Sequence, residues 1–399
     1  MAQKVEWVVA AAATKTSFHR PYRVGLVLAT LWALVIAKLG VAAVLPEDRA
    51  DVLYHRYNGG GVTVDGPSVL VRVGDEKSVS AWGNFYADSV SSASVDVVTQ
   101  GSPYDESRRE LSVGVDYLHE NTMMDLSYTN SDEDDYTANS GHFSINQTMF
   151  GDLTTVTLGY SYARDTVKQN EEPDFEEHVT RQNYRLGLSQ VLTKNLLIDL
   201  AYEAITDEGF LNNPYRSVRY VDPTVPRGYS FQPEKYPNTR TSNAVSANMM
   251  YYLPYRASLR GQYRFYTDTW GINANTVEVG YTHPLSAGWS FDLKYRYYKQ
   301  SKADFYSDLF PRENATNFRG RDKELSTFTD HTIGVGVSYD FLRDGWRFID
   351  KGSLTLKYDR IFFDYSDYRD IRQQTAIAGD EPLYDFTANV WQAFVSIWY

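Results

Sequence analysis

The chain reads as an all-β protein, a transmembrane antiparallel β-barrel of the outer-membrane type with about sixteen strands. Three observations predict this. Alternating apolar and polar segments recur from Asp51 onward, short turns alternate with long polar loops, and the chain closes on an apolar stripe, Trp391 to Tyr399.

Side chains of a strand alternate between its faces, so Trp391, Ala393, Val395, Ile397 and Tyr399 form one apolar face that ends in an aromatic. In a soluble protein that face would be an exposed, sticky edge. In a barrel it faces lipid, with the last ring at the water–lipid boundary. The stripe is similar to the C-terminal insertion signal that bacterial outer-membrane barrels present to their barrel-assembly machinery. That machinery, outer-membrane lipid and lipopolysaccharide are therefore the expected partners, and the bacterial outer membrane is the expected location.

Residues 1–43 read as an export signal that is cleaved, leaving a barrel domain over 44–399. Lys4, Lys15, Arg20 and Arg23 give a basic start, Val24 to Ala37 an apolar stretch, and Val41-Ala42-Ala43 small residues for cleavage. A membrane anchor is the competing reading, but Lys38 interrupts the stretch and an anchored barrel would not reach the outer membrane.

Loss of that segment removes five Lys/Arg and one Glu, leaving 34 basic against 50 acidic residues and a net charge of −16. Nucleic acid, which needs clustered positive charge, is excluded as a partner. Mean hydropathy is −0.44, and no later stretch is apolar enough for a membrane helix. A barrel escapes that objection because only alternate residues need be apolar. The 32 Tyr, 19 Phe and 8 Trp suffice for aromatic girdles at both interfaces. With no Cys, disulfides, thiol catalysis, iron–sulfur ligation and c-type haem attachment are ruled out, and no cofactor is expected.

Strands are predicted at 62–73, 78–92, 109–119, 122–130, 141–149, 153–165, 179–191, 195–205, 240–251, 255–267, 272–284, 287–300, 329–341, 352–365 and 385–399. These are fifteen, and parity asks for one more, Asp51 to Asn58, returning through Gly59-Gly60-Gly61. If that first hairpin folds otherwise, fourteen remain. Long polar loops are expected at 94–108, 131–140, 166–178, 206–239, 301–328 and 366–384, facing outward, opposite the short periplasmic turns. A soluble sandwich or propeller fits worse, since several polar faces carry full charges that a dry core would not accept.

The polar faces define the expected lumen. Over 255–266, Tyr255, Ala257, Leu259, Gly261, Tyr263 and Phe265 share one face, and Arg256, Ser258, Arg260, Gln262 and Arg264 the other. An arginine at the lipid midplane costs about 2–4 kcal/mol, so that second face belongs to an aqueous interior. Asp292, Lys294 and Arg296 oppose Phe291, Leu293 and Tyr295 in the same way. Arg181 and Arg185 lie on strand 179–191, Asp199 and Glu203 on 195–205, and Glu278 on 272–284 within reach of an arginine on its hairpin partner. Two readings stay open: a basic strip that attracts anionic solutes, or an interior cross-linked by mutually neutralising charges.

Loop 206–239 carries Arg216, Arg219 and Arg227 among tyrosines and prolines, and folds either inward as a constriction or outward as a solvated cap. The acidic runs at 132–135 and 171–177 lack the Gly and ligand spacing of a calcium loop and read as solvated charge. His55, His119, His142, His178, His283 and His331 sit near strand ends without metal-ligand spacing, and no catalytic set can be aligned.

Val44 to Arg72, Ser102 to Thr122, Met149 to Tyr162 and Gly209 to Tyr220 resemble a family of proteobacterial outer-membrane proteins known only as a domain of unknown function. The resemblance spans the mature chain and implies a barrel, with no activity, ligand or catalytic residue to carry over. It also implies a genomic setting beside a flavin-transferase lipoprotein, a thioredoxin-like protein and a small lipoprotein. That setting suggests a periplasmic or lipoprotein partner in redox chemistry or flavoprotein maturation. Three functions are thereby framed: first a channel for small, anionic solutes, then a sealed structural or docking barrel, and last a barrel enzyme.

Overall fold

A computed structural model describes residues 44–92, 104–170, 172–343, 345–373 and 375–399. The expected export segment, 1–43, lies outside the described residues. The strands, in chain order, are β1 (Arg49–Gly59), β2 (Val62–Gly74), β3 (Val79–Ser92), β4 (Tyr104–His119), β5 (Thr122–Asp132), β6 (Tyr136–Met149), β7 (Thr154–Gln169), β8 (Glu172–Thr193), β9 (Leu196–Gly209), β10 (Ser217–Val221), β11 (Tyr229–Pro233), β12 (Thr239–Tyr252), β13 (Ser258–Asp268), β14 (Asn273–Pro284), β15 (Trp289–Gln300), β16 (Phe328–Phe341), β17 (Lys351–Arg369) and β18 (Leu383–Trp398). Each pairs antiparallel with its chain neighbour, except that β12 pairs with β9, and β10 and β11 form a separate two-stranded hairpin. Sixteen strands thus make one closed barrel.

Closure joins the two ends of the described chain. β1 pairs with β18 from Arg49↔Trp398 to Gly59↔Ala388. The first hairpin turns through Gly60 and Gly61, at φ 60° and 80°, a conformation in which only glycine is relaxed. The C-terminal ring is tied down as well, since the Tyr399 hydroxyl donates to the Arg72 carbonyl at 3.1 Å.

Alternation governs which face each side chain takes. Leu111, Val113 and Val115 of β4, Leu186 and Leu188 of β8, Leu293 of β15, and Val335 and Val337 of β16 are exposed on the outer wall. Trp391 and Val395 of β18 share that wall, with Ala393 and Ile397 half-buried beside them. Tilted ring pairs strengthen it, as where Tyr358 meets Trp391 at 4.4 Å and Trp289 meets Tyr339 at 4.7 Å.

Two expected loops are largely strand. β5 and β6 run to Asp132 and Tyr136, with Asp132 opposite Thr137 in register. β7 and β8 run to Gln169 and Glu172 and are still paired at Val167↔Glu177. Their inner faces are buried at Ser131, Tyr136, Ala138, Val167 and Val179 while Asp132, Glu172 and Glu177 face outward into water, so acidic composition alone does not mark a loop.

The apolar core sits inside the barrel towards its long-loop end, in two clusters. One joins Tyr57, Val62, Val64 and Val90 to Phe328, Ile361, Phe363, Tyr365, Tyr368 and Tyr384. The other joins Tyr136, Ala138, Ala163, Val167 and Val179 to Leu211, Tyr236, Trp270, Ile272, Tyr306 and Leu325. Leu211 and Tyr236 belong to the 206–239 segment, and Phe231 of β11 packs against the first cluster. That segment therefore runs inward across the mouth, against wall residues of both clusters.

Candidate functional site

The interior wall brings the predicted charges together in pairs. Arg181 bridges Asp165 at 3.0 Å and Asp207 at 3.2 Å. Arg185 meets Glu203 at 3.2 Å, and Arg264 approaches the same carboxylate at 3.6 Å. Glu278 reaches Arg260 at 3.3 Å, Lys294 reaches Asp359 at 3.1 Å, and Arg296 reaches Asp330 at 3.5 Å. Asp292 accepts the Thr282 hydroxyl at 2.6 Å. Asp199 is half-buried on the same wall, opposite Ser189 in register.

Arg256 is a correction. It lies outside the lumen, exposed in the turn that precedes β13, at φ 70° with its amide donating to the Leu253 carbonyl. The strand begins two residues later, because the Leu253–Ala257 backbone hydrogen bond closes the turn first. Ala257, expected against lipid, is fully buried for the same reason.

The inner wall is uneven. On β4 to β6 it is packed tight, with Glu106, Arg108, Glu110, Ser112, Asp116, Asp125, Ser127, Thr129, Ser140 and Ser144 all buried. On β13 and β15, Arg260, Gln262, Arg264, Ser290, Asp292, Lys294 and Arg296 are only partly buried, Arg264 keeping 29% and Lys294 10% of its side chain exposed, so the wall is looser there. In the packed half, Ser161, His142 and Asp125 meet: His142 Nδ1 is 2.8 Å from the Ser161 hydroxyl, and Nε2 is 3.6 Å from Asp125. The three residue types are those of a hydrolase, but Ser161 is 1% exposed and pairs with His142 across a strand ladder. Its backbone lies in the β6–β7 ladder, so both side chains sit buried on the wall's inner face.

The mouth is the most structured part. Three outer segments, 206–239, 301–328 and 366–384, are locked by buried charge. Arg219, fully buried on β10, donates to Glu381 at 2.7 and 3.0 Å, to the Asp308 carboxylate, and to the Asp308 carbonyl at 2.9 Å. Arg321 donates to the same Asp308 carboxylate at 3.0 Å and to the Arg369 carbonyl at 3.0 Å, its guanidinium 4.5 Å from the Tyr368 ring. Arg216 pairs with Asp322 at 3.1 Å. Glu234 accepts the Arg321 amide at 2.7 Å and the Tyr236 hydroxyl at 2.5 Å. On the opposite side Tyr215 donates to Asp135 and accepts the Asn170 amide at 2.8 Å, reaching the β5–β6 and β7–β8 rims. Arg227, the third predicted loop arginine, is exposed at the hairpin tip, stacked on Tyr229 at 5.1 Å and Phe231 at 4.9 Å.

Titration follows burial at this site. Desolvation pushes the Glu234 carboxyl up to about 7; Asp322 acts in the same direction and Arg216 against it. For Glu381 burial acts upward too, but the Arg219 hydrogen bond and charge outweigh it and hold the carboxyl below its ordinary range.

Sequence reasoning missed Asp308, Arg321, Asp322, Glu234 and Glu381. Loop residues carry no periodicity from which a partner could be read. Asp165, Asp330 and Asp359 were legible in principle, since each lies on the polar parity of its strand.

Among solved structures the chain is similar to a bacterial polysaccharide outer membrane secretin, at 9% identity and TM-score 0.48 over 89% of this chain and 100% of that one. It is similar to a FadL homologue of Pseudomonas aeruginosa at 10% identity and TM-score 0.43, over 92% and 93% of the two chains. OmpT of Vibrio cholerae aligns at 11% identity and TM-score 0.41, over 90% and 100%. No curated protein matches the chain. Residues 63–349 match the family model described as "Protein of unknown function (DUF3570)", and the chain belongs to that family.

Proposed function

We propose that this protein is a gated conduit of the bacterial outer membrane, shut at rest, for small polar solutes. One observation carries the reading: Arg219 ties loops 301–328 and 366–384 to its own segment across the mouth, above a lumen whose β13 and β15 wall is only partly buried. A barrel used only as a scaffold has no need of a looser wall beneath its cap. Arg256 apart, which lies in a turn, the predicted basic lumen residues Arg181, Arg185, Arg260, Arg264, Lys294 and Arg296 each have an acidic partner, so the expected charge preference is weak, and an anion-selective strip is the lesser version of the idea.

The same reading removes residues 1–43 on export, surrounds the wall with lipid and lipopolysaccharide, and gives β18 to the assembly machinery as its insertion signal. It treats Ser161, His142 and Asp125 as structural and the protein as non-catalytic. The second reading is a sealed barrel that docks a periplasmic or lipoprotein redox partner, and the closed mouth favours it equally.

Planar-bilayer recording separates the two. The intact barrel should be nearly silent, and a variant with 210–238 replaced by a short Gly/Ser linker should conduct steadily. Silence from both leaves the docking barrel.

A further inference from the structure

We propose that Glu234 is a proton-operated latch, which holds the outer mouth shut while protonated and frees the 206–239 segment when ionised. This rests on the gated-conduit reading and supplies its regulation.

The charge inventory of the mouth is the first support. Around Arg219, two cations, Arg219 and Arg321, face two anions, Asp308 and Glu381. Around Arg216, one cation faces two acids, Asp322 at 3.1 Å and Glu234. Glu234 is the odd carboxyl, and it is buried. An unmatched buried carboxylate is strongly disfavoured, so the closed arrangement selects the neutral acid.

Position is the second support. Glu234 sits where two outer segments meet, taking the Arg321 amide from 301–328 on one oxygen and the Tyr236 hydroxyl from its own segment on the other. A neutral carboxyl keeps both contacts: its carbonyl oxygen accepts the amide, and its hydroxyl pairs with that of Tyr236. Ionised, it keeps both contacts as an acceptor, and both favour that form, but burial outweighs them and the charge draws in water or a second cation. Arg216 is held by Asp322, the Arg321 guanidinium is turned to Asp308 and Tyr368, and the buried Lys323 ammonium lies over the Phe386 ring. Water then enters the joint between the two segments.

The sign follows from linkage. In the open mouth Glu234 is an ordinary solvated carboxylate, and in the closed mouth burial raises its affinity for the proton. The closed state therefore binds more protons, so its advantage is full below the ordinary carboxylate range and is lost as pH rises through neutrality. Each unit of pKa difference is a tenfold change in the closed-to-open ratio, so the ratio falls by about tenfold or more across that window.

The test is single-channel recording of the full barrel from about pH 5 to about pH 8. Open probability should rise by about tenfold or more over that range. E234Q, isosteric and permanently neutral, should stay shut throughout. D322N removes the like charge that faces Glu234 and should move the opening to lower pH, which keeps the test alive if E234Q does not fold. An unchanged opening midpoint in E234Q or in D322N overturns the latch while leaving the conduit in place. If the 210–238 replacement is silent at every pH, the conduit fails and the latch with it.

Discussion

Arg219 and Glu381, 162 residues apart in the chain, form a paired hydrogen bond at 2.7 and 3.0 Å with the guanidinium fully buried. Asp308 completes the set from a third segment, so three outer connections close on one cation. Removing one partner of a buried pair typically costs about 3–5 kcal/mol, because the remaining charges lose their compensation. R219A should therefore loosen the mouth without unfolding the barrel. Limited proteolysis should then cut within 206–239 at least tenfold faster, while the heat-modifiable gel shift of a folded barrel is kept. Equal cleavage rates would show that Arg219 does not hold the segment.

The wall makes its own prediction. Leu293 faces outward between Asp292 and Lys294, which face inward. Arginine at 293 should destabilise the barrel by about 2–4 kcal/mol if that position lies near the bilayer midplane. Q262R, on the partly buried lumen side, should lose far less. Reversible urea unfolding in lipid vesicles reads both, and similar losses would contradict the assignment of faces.

Gly114 lies under the Trp82 indole. A Cβ there would approach the ring atoms to 2.4–2.7 Å, and the ring is itself buried with Arg72 at 6.0 Å. G114A should displace the indole and cost about 1–3 kcal/mol by overpacking. A shifted tryptophan emission with a lower urea midpoint is the expected result, and an unchanged spectrum would refute the contact.

Asp75 caps the β2–β3 turn, accepting the amides of Lys77, Ser78 and Val79 at 2.9, 2.7 and 2.8 Å. Those backbone bonds hold its carboxyl well below the ordinary value. A depressed acid stabilises above its unfolded pKa and loses that contribution as pH falls through the folded one. The turn should therefore keep its geometry at pH values where free aspartate is already protonated. Carboxyl-carbon NMR titration checks this, and an ordinary midpoint would refute the cap.

How much was legible depends on periodicity. The two faces of β13 followed from alternation alone, with Leu259, Tyr263 and Phe265 exposed and Arg260 and Arg264 turned inward. Arg256 was misplaced because alternation continues into a turn as smoothly as into a strand, and only the positive φ marks the boundary. The β7–β8 extension was hidden by acidic composition, which suits a solvated strand as well as a loop. The mouth was not legible. Arg219 stood out as a loop arginine, but Asp308 and Glu381 lie 89 and 162 residues away with no repeat linking them.

The proposed conduit is a wet lumen, closed to the outside by the protein's own loops, within a wall that alternates between water and lipid. The chain has no cysteine, so single-cysteine labelling reports position cleanly. T276C, on the half-exposed inner face of β14, should react with a membrane-impermeant maleimide added from the periplasmic side of oriented vesicles. It should resist the same reagent from outside until Arg219 is replaced. L293C, on the lipid face, should resist it from both sides. Ready labelling of L293C, or of T276C from outside with Arg219 intact, would contradict the account.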